Sequence, residues 1–425
     1  MSGPRGITLG AALGAALGAA ALALGAAAPA GAQDRLVGLR ALGVGATAEG
    51  VVFGGTGLFQ APFGGEDSLR LRRAYQLSVP VTLAIPMGDA WTVDVTSVYA
   101  WGSVTFDAAD PRKAAGQTAT ISGVSDVRVR ATGRLAGDAL IVTFGANAPT
   151  GRAELDGEQL AAVRVLAAPA LGLSTPPVGA GASGTLGLLS ARRVGSWAVA
   201  GGLSYELHDS YQPIRALAAG AATTNFRPGD VVRLSVGADG VVGKERLSLS
   251  VASDFFGVDR LHAGSVTTTT GTSTTQPVAR VRLGPVISTD GQLHLAAPRV
   301  REAVLWVSSR WRAQFARDGV SVDGSSGEYL DGGLRTAIPM TVRSDLLLSV
   351  DGRWQSGLSF DDALLTAATT GGGVTVGLAH RVGTVTVQPF VRGQLGRVRS
   401  TTVSRPDGSA TYAGGSVGLT ILSRF

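Results

Sequence analysis

The side chains that most readily do chemistry are scarce in this 425-residue chain, which has no cysteine and four scattered histidines, His208, His262, His294 and His380. A metal centre wants clustered His, Cys or carboxylate ligands at fixed spacing, and no HExxH pattern or cysteine pair supplies one. No metal ion is expected. His208-Asp209, beside Tyr211, has a catalytic reading as the His-Asp pair of a hydrolase, with Asp361-Asp362 as a loose companion. There is no convincing Ser/His/Asn set, and no glycine-rich loop follows a strand and opens a helix to cradle phosphate. Neither a cofactor nor a catalytic residue is expected.

Arginine is the charged side chain that recurs. The net charge is +6, and Lys113 and Lys244 are the only lysines. Arg128, Arg130, Arg134, Arg233, Arg280, Arg282, Arg310, Arg312, Arg343, Arg353 and Arg392 share the polar positions of alternating stretches with Asp94, Asp126, Asp239, Asp254, Asp345 and Asp351. Opposite charges across neighbouring strands stiffen a wall. Rings of fixed charge around a passage set its selectivity, and an arginine excess favours anions. Such basicity also suits nucleic acid, but a chain with an export signal rarely meets it, so no nucleic-acid partner is expected.

The elements that hold these charges alternate with period two. Leu77, Val79, Val81 and Leu83 oppose Gln76, Ser78 and Thr82; Val127, Val129 and Ala131 oppose Arg128, Arg130 and Thr132. The pattern returns around Trp197, Leu249, Leu305, Leu346 and Val387. A helix would scatter these sets, so they are strands. Most runs span about ten to fourteen residues, the length of a tilted strand crossing a bilayer, with the apolar face toward lipid. Mean hydropathy is +0.24, yet after the first thirty residues no stretch reads as a spanning helix.

The connections alternate between tight and long. Tight turns fall at 86–89, 136–138, 194–196, 241–245, 339–341 and 381–384. Long loops fall near 58–72, 107–120, 150–181, 209–228, 258–276, 318–326, 356–370 and 400–409. Outer-membrane barrels have this order, short turns inside and long loops outside. The fold expected is all-β: a transmembrane, antiparallel, up-and-down barrel of about sixteen strands, with twelve and fourteen as rival counts and both termini periplasmic. The irregular join lies around 288–302 and carries Pro298.

Residues 1–32 read as a cleavable signal peptide, with Arg5, an Ala/Leu/Gly run and Ala30-Gly31-Ala32 before Gln33. Residues 33–425 form the barrel. Its last strand places Val417, Leu419, Ile421 and Phe425 on one face, which resembles the signal read by the barrel assembly machinery. That machinery and outer-membrane lipid are the expected partners, together with a small solute of unknown identity. Within the longest insertion, 150–181, Leu160, Val163 and Ala167 have the spacing of one helical face over 154–168. The segment either folds into the barrel or caps it.

Ser125-Asp126-Val127-Arg128-Val129-Arg130, followed by Phe144-Gly145-Ala146-Asn147-Ala148-Pro149-Thr150-Gly151-Arg152, resembles the family of outer-membrane transporters associated with meta-pathway phenol degradation. The resemblance covers about a tenth of the chain. It implies a barrel that passes small organic molecules and transfers no binding residue. The related fatty-acid and toluene channels carry an N-terminal plug and an Asn-Pro-Ala motif, both absent from this sequence. The sequence thus points to an outer-membrane channel, with a structural or adhesive surface barrel and an outer-membrane protease as alternatives.

Overall fold

The computed structural model describes residues 41–54, 69–108, 118–136, 139–167, 171–173, 178–214, 224–263, 266–267, 273–274, 279–360, 363–366, 368–402 and 405–424. The signal peptide assignment, Asp361-Asp362 and Phe425 lie outside them.

Sixteen antiparallel strands close on themselves. In chain order they are β1 (Ala41–Gly54), β2 (Leu69–Met87), β3 (Trp91–Ala108), β4 (Thr118–Val124 with Val127–Leu135), β5 (Leu140–Ala148), β6 (Ser183–Val194), β7 (Trp197–His208) and β8 (Val231–Val242). The rest are β9 (Glu245–Phe256), β10 (Val286–His294), β11 (Glu302–Arg312), β12 (Gly327–Pro339), β13 (Ser344–Gln355), β14 (Ala368–Val382), β15 (Val385–Thr402) and β16 (Arg405–Arg424). Each strand pairs with the next, both halves of β4 pair with β3, and β16 returns to β1 with Ala41 opposite Arg424. Closure leaves no edge whose backbone groups need another partner.

The faces follow the alternation. Leu77, Val81, Val129, Leu203, Leu249, Leu305, Val376 and Val417 are among the exposed apolar side chains on the outside. Glu49, Gln76, Asp94 and Asp345, on the other face, are buried. Apolar outside and polar inside inverts a soluble sandwich and suits lipid. Gly88, Gly195, Gly243 and Gly383 sit at positive φ in the expected tight turns, where the chain must reverse within a few residues. The irregular join shrinks to 295–301, because β10 runs on to His294. The loop expected at 400–409 is instead mostly strand, since β15 and β16 extend to Thr402 and from Arg405.

Above the barrel, at the loop end, five strands break and resume as one wall of a smaller rim sheet. Its segments are Tyr211–Ile214, Thr224–Arg227, Val258–Ala263, Ala279–Arg282, Ala316–Arg317 and Val320–Ser321. Register is kept across the breaks, with Val231 opposite Phe256 and Arg227 opposite Arg260. The faces nonetheless exchange. Phe226, Leu261, Ala279 and Val281 are buried with Phe315 and Leu358, and the inward-facing Phe256 packs on this cluster. Arg280 and Arg282 therefore stand exposed on the opposite face, not on the lumen positions that straight alternation gives them. The break at Leu283-Gly284-Pro285, where proline has no N–H for the ladder, turns the strand over.

Candidate pore lining and its inward segment

Cross-strand register brings the inner charges together as ion pairs. Arg130 meets Asp94 at 2.8 Å, Arg233 meets Asp254 at 2.6 Å, and Arg246 meets Asp239 at 2.8 Å. Asp351 holds two guanidinium groups at once, Arg353 at 2.9 Å and Arg392 at 2.7 Å. Asp345, buried at the turn end, is reached by Arg301 at 2.9 Å and Arg381 at 3.5 Å. Arg134 donates to the carbonyl of Asp89 at 2.7 Å. Arg312 stacks over Phe315 at 5.6 Å. Arg128 and Arg310 stand opposite Asn147 and Tyr329 and make no ion pair among the described residues. Arg343 lies in the turn between β12 and β13 and is exposed, so it does not share the strand face assigned to it from sequence.

Register also adds acids that alternation alone had not collected. Glu49 pairs in register with Gln76, Glu206 with Thr185, Asp290 with Ser250, Glu302 with Ala337 and Asp331 with Arg353. These carboxylates belong to the same inner face, so the arginine excess read from the sequence largely disappears. The signal was available, but it needed the strand limits to be known first.

One wall carries a second layer. Helix α1 (Gly157–Leu166) begins with a capping box: the Gln159 N–H donates to Asp156 at 2.8 Å, and the Asp156 N–H donates to the Gln159 side chain at 3.2 Å. This satisfies two of the free donors at the helix start. Leu160, Val163 and Leu166 are buried against Val104 and Ile121 of the barrel wall, with Val51, Leu71 and Ala74 in the same cluster. Each such side chain contributes roughly 1.5–3 kcal/mol. Gly102 leaves the space that Leu166 fills: a Cβ there would come within 2.4 Å of the leucine. Beyond the helix, the Leu171 carbonyl accepts a hydrogen bond from Gln394 at 2.9 Å, and Gly172 lies on Arg353. The described residues of segment 150–181 therefore fold in against β1–β4 and against β13, β15 and β16.

The segment is tied down at its base by one buried carboxylate. Asp126, in the break between the halves of β4, accepts from the Gly151 N–H at 2.8 Å, the Ala180 N–H at 2.7 Å and the Asn147 amide at 2.9 Å. Thr150 accepts from the Val127 N–H at 2.9 Å. The two stretches that carry the family resemblance thus meet in space and form this anchor. A shallow cleft lined by Arg152, Ala153, Glu154 and Gln159 opens beside the start of α1.

Catalytic geometry is thin. His208 contacts Glu206 at 3.3 Å. Ser344 and His380 hydrogen-bond at 2.9 Å, a nucleophile-and-base pairing that sequence distance concealed. It lies on the lipid-facing alternation beside a turn, and no carboxylate orients the imidazole among the described residues. No group of three or more His, Cys, Asp or Glu that could hold a metal occurs among the described residues.

A closed sixteen-strand barrel, apolar outside and ionised within, is an outer-membrane β-barrel. Sixteen strands is also the size at which the interior leaves an aqueous passage. No family model and no curated protein matches the chain. Among solved structures, a TodX deltaS2S3 mutant, a monoaromatic hydrocarbon channel, is 10% identical with a TM-score of 0.42, and the match covers 91% of each chain. Pseudomonas putida OprB at low pH is 11% identical with a TM-score of 0.40, over 93% of this chain and 96% of that one. A bacterial polysaccharide outer membrane secretin is 9% identical with a TM-score of 0.38, over 90% and 98%. The barrel assignment rests on the strand register of this chain and not on these likenesses.

Proposed function

We propose that this barrel is a passive channel for small polar solutes, inserted with its turns and both termini in the periplasm and its long loops outside. The observation that carries this reading is the uneven interior. One wall is covered by α1 and its apolar cluster. The wall from β7 to β12 keeps Arg233–Asp254, Arg246–Asp239, Asp290, Arg310 and Asp331 on its inner face. Fixed charges of both signs beside a water column keep solutes hydrated and moving, whereas an apolar wall would dewet it. Near-balanced charge gives a weak ion preference instead of the anion leaning that the arginine count suggests. Small organic molecules, implied by the family resemblance, fit the same passage where they carry polar groups. Catalysis has no part in this reading. Val417, Leu419 and Ile421, exposed on the last strand, serve with Phe425 as the mark read by the assembly machinery.

Swelling of liposomes that contain the refolded protein tests the reading. Small sugars and amino acids should enter at rates that fall with size. Absence of swelling with every solute would favour the second reading, a structural or adhesive barrel, for which the inward packing of segment 150–181 speaks.

A further inference from the structure

The rim sheet carries a row of like charges that the barrel interior does not use. Arg227 stands directly opposite Arg260, and Arg260 directly opposite Arg280. Arg282, two residues on from Arg280, adds a fourth on the same face. All four are exposed, and none makes an ion pair among the described residues. Asp318, in the following turn, is joined to the row through its backbone N–H on the Arg280 carbonyl at 2.9 Å and makes no ion pair with it. Like charges facing each other across strands destabilise a sheet unless something neutralises them.

The position of the row says what that is. The other face of the rim sheet carries Tyr211 and Phe226 and turns toward the inward segment, where Tyr211 lies against Gly181. The arginine face therefore looks away from the axis. Below it the apolar belt ends in exposed aromatics, Tyr205, Phe255 and Trp311, the residue types that settle at headgroup level. Arg260 follows Phe255 by five residues, roughly 16 Å along an extended chain. Val258, exposed on the same face, continues the belt up to the row.

We propose that Arg227, Arg260, Arg280 and Arg282 form a docking surface for the phosphate groups of lipids in the leaflet at the loop end of the barrel. Guanidinium forks bind phosphate with two parallel hydrogen bonds, and a row of four matches a lipid that bears more than one phosphate. The proposal needs the barrel to stand in a membrane but not to conduct, so its failure leaves the channel reading untouched.

The test uses the full-length protein in nanodiscs containing a minor fraction of bis-phosphorylated lipid A, with native mass spectrometry after extraction into mild detergent. Wild type should retain lipid A but not its dephosphorylated form, and retention should fall steeply as salt rises. Arg260→Ser with Arg280→Ser should lower retention by about tenfold or more, whereas Arg310→Ser inside the barrel should leave it unchanged. Equal retention of the dephosphorylated lipid, or full retention by the double variant, would overturn the proposal. Complete competition by inorganic phosphate would overturn it too, leaving a free-anion site. If the double variant does not fold, the salt and dephosphorylation arms on the wild type decide alone.

Discussion

Single residues on neighbouring positions of β4 have opposite tasks. Val129 faces out and is exposed, while Arg130 faces in and pairs with Asp94 at 2.8 Å. Val129→Arg should cost roughly 2–4 kcal/mol if it lies near the bilayer midplane. Arg130→Val removes a partner from a buried carboxylate and should cost less, because the lumen supplies water. Urea unfolding in vesicles compares the two, and equal costs would mean the faces are misassigned. Asp126 has a different role, since three donors depend on it. Asp126→Ala should leave the barrel closed yet free segment 150–181, seen as new protease cleavage within 152–178. Uncleaved protein would show that the apolar contacts of α1 hold the segment without the anchor.

Asp259 gives a pH dependence at the same scale. It lies in the rim sheet outside the membrane strands, and burial pushes its carboxyl up to about 6, against the opposing pull of the Gly229 N–H at 2.6 Å and of nearby His208. A raised folded pKa stabilises the fold below the ordinary carboxyl value of about 4 and loses that contribution as pH rises through about 6. Amides of 224–227 and 258–263 should exchange more slowly at pH 4 than at pH 7, after correction for intrinsic rates. Asp259→Asn should flatten the difference. An unchanged difference in that variant would rule out Asp259 as its source.

At the scale of elements, the strands and most turns were legible because period two and turn glycines are local signals. Helix α1 was legible too, through the apolar spacing at Leu160 and Val163, whereas its capping box of Asp156 and Gln159 emerged only in the structure. The ion pairs were not, because Arg353 and Arg392 meet at Asp351 only once three strands are in register. The rim sheet was hidden for another reason: the breaks at 228–230, Gly257 and 283–285 exchange the faces while keeping register, and alternation carries no mark of that. The inward segment offers a clean element-scale test. A Cβ at Gly179 would lie 3.1 Å from Gly151, so residues 152–178 can be excised with Gly151 joined to Gly179. The shortened barrel should fold, keep its heat-modifiable mobility and conduct more than the full chain. Unchanged conductance would place the path away from α1.

For the whole molecule, closure and inversion of polarity define the class, and the charge balance inside defines the behaviour. Because the inner face mixes Arg310 and Arg128 with Asp290 and Asp331, reversal potentials in a salt gradient should sit near zero, with a slight preference that salt screens over about 10 Å at 0.1 M. Arg310→Ser should move the potential toward cation preference. The most direct measurement of the central claim is single-channel current from the purified, refolded protein in a planar bilayer. The predicted result is discrete, reproducible conductance steps from a heat-modifiable barrel. A barrel that inserts, shows that mobility shift and never passes current would contradict it.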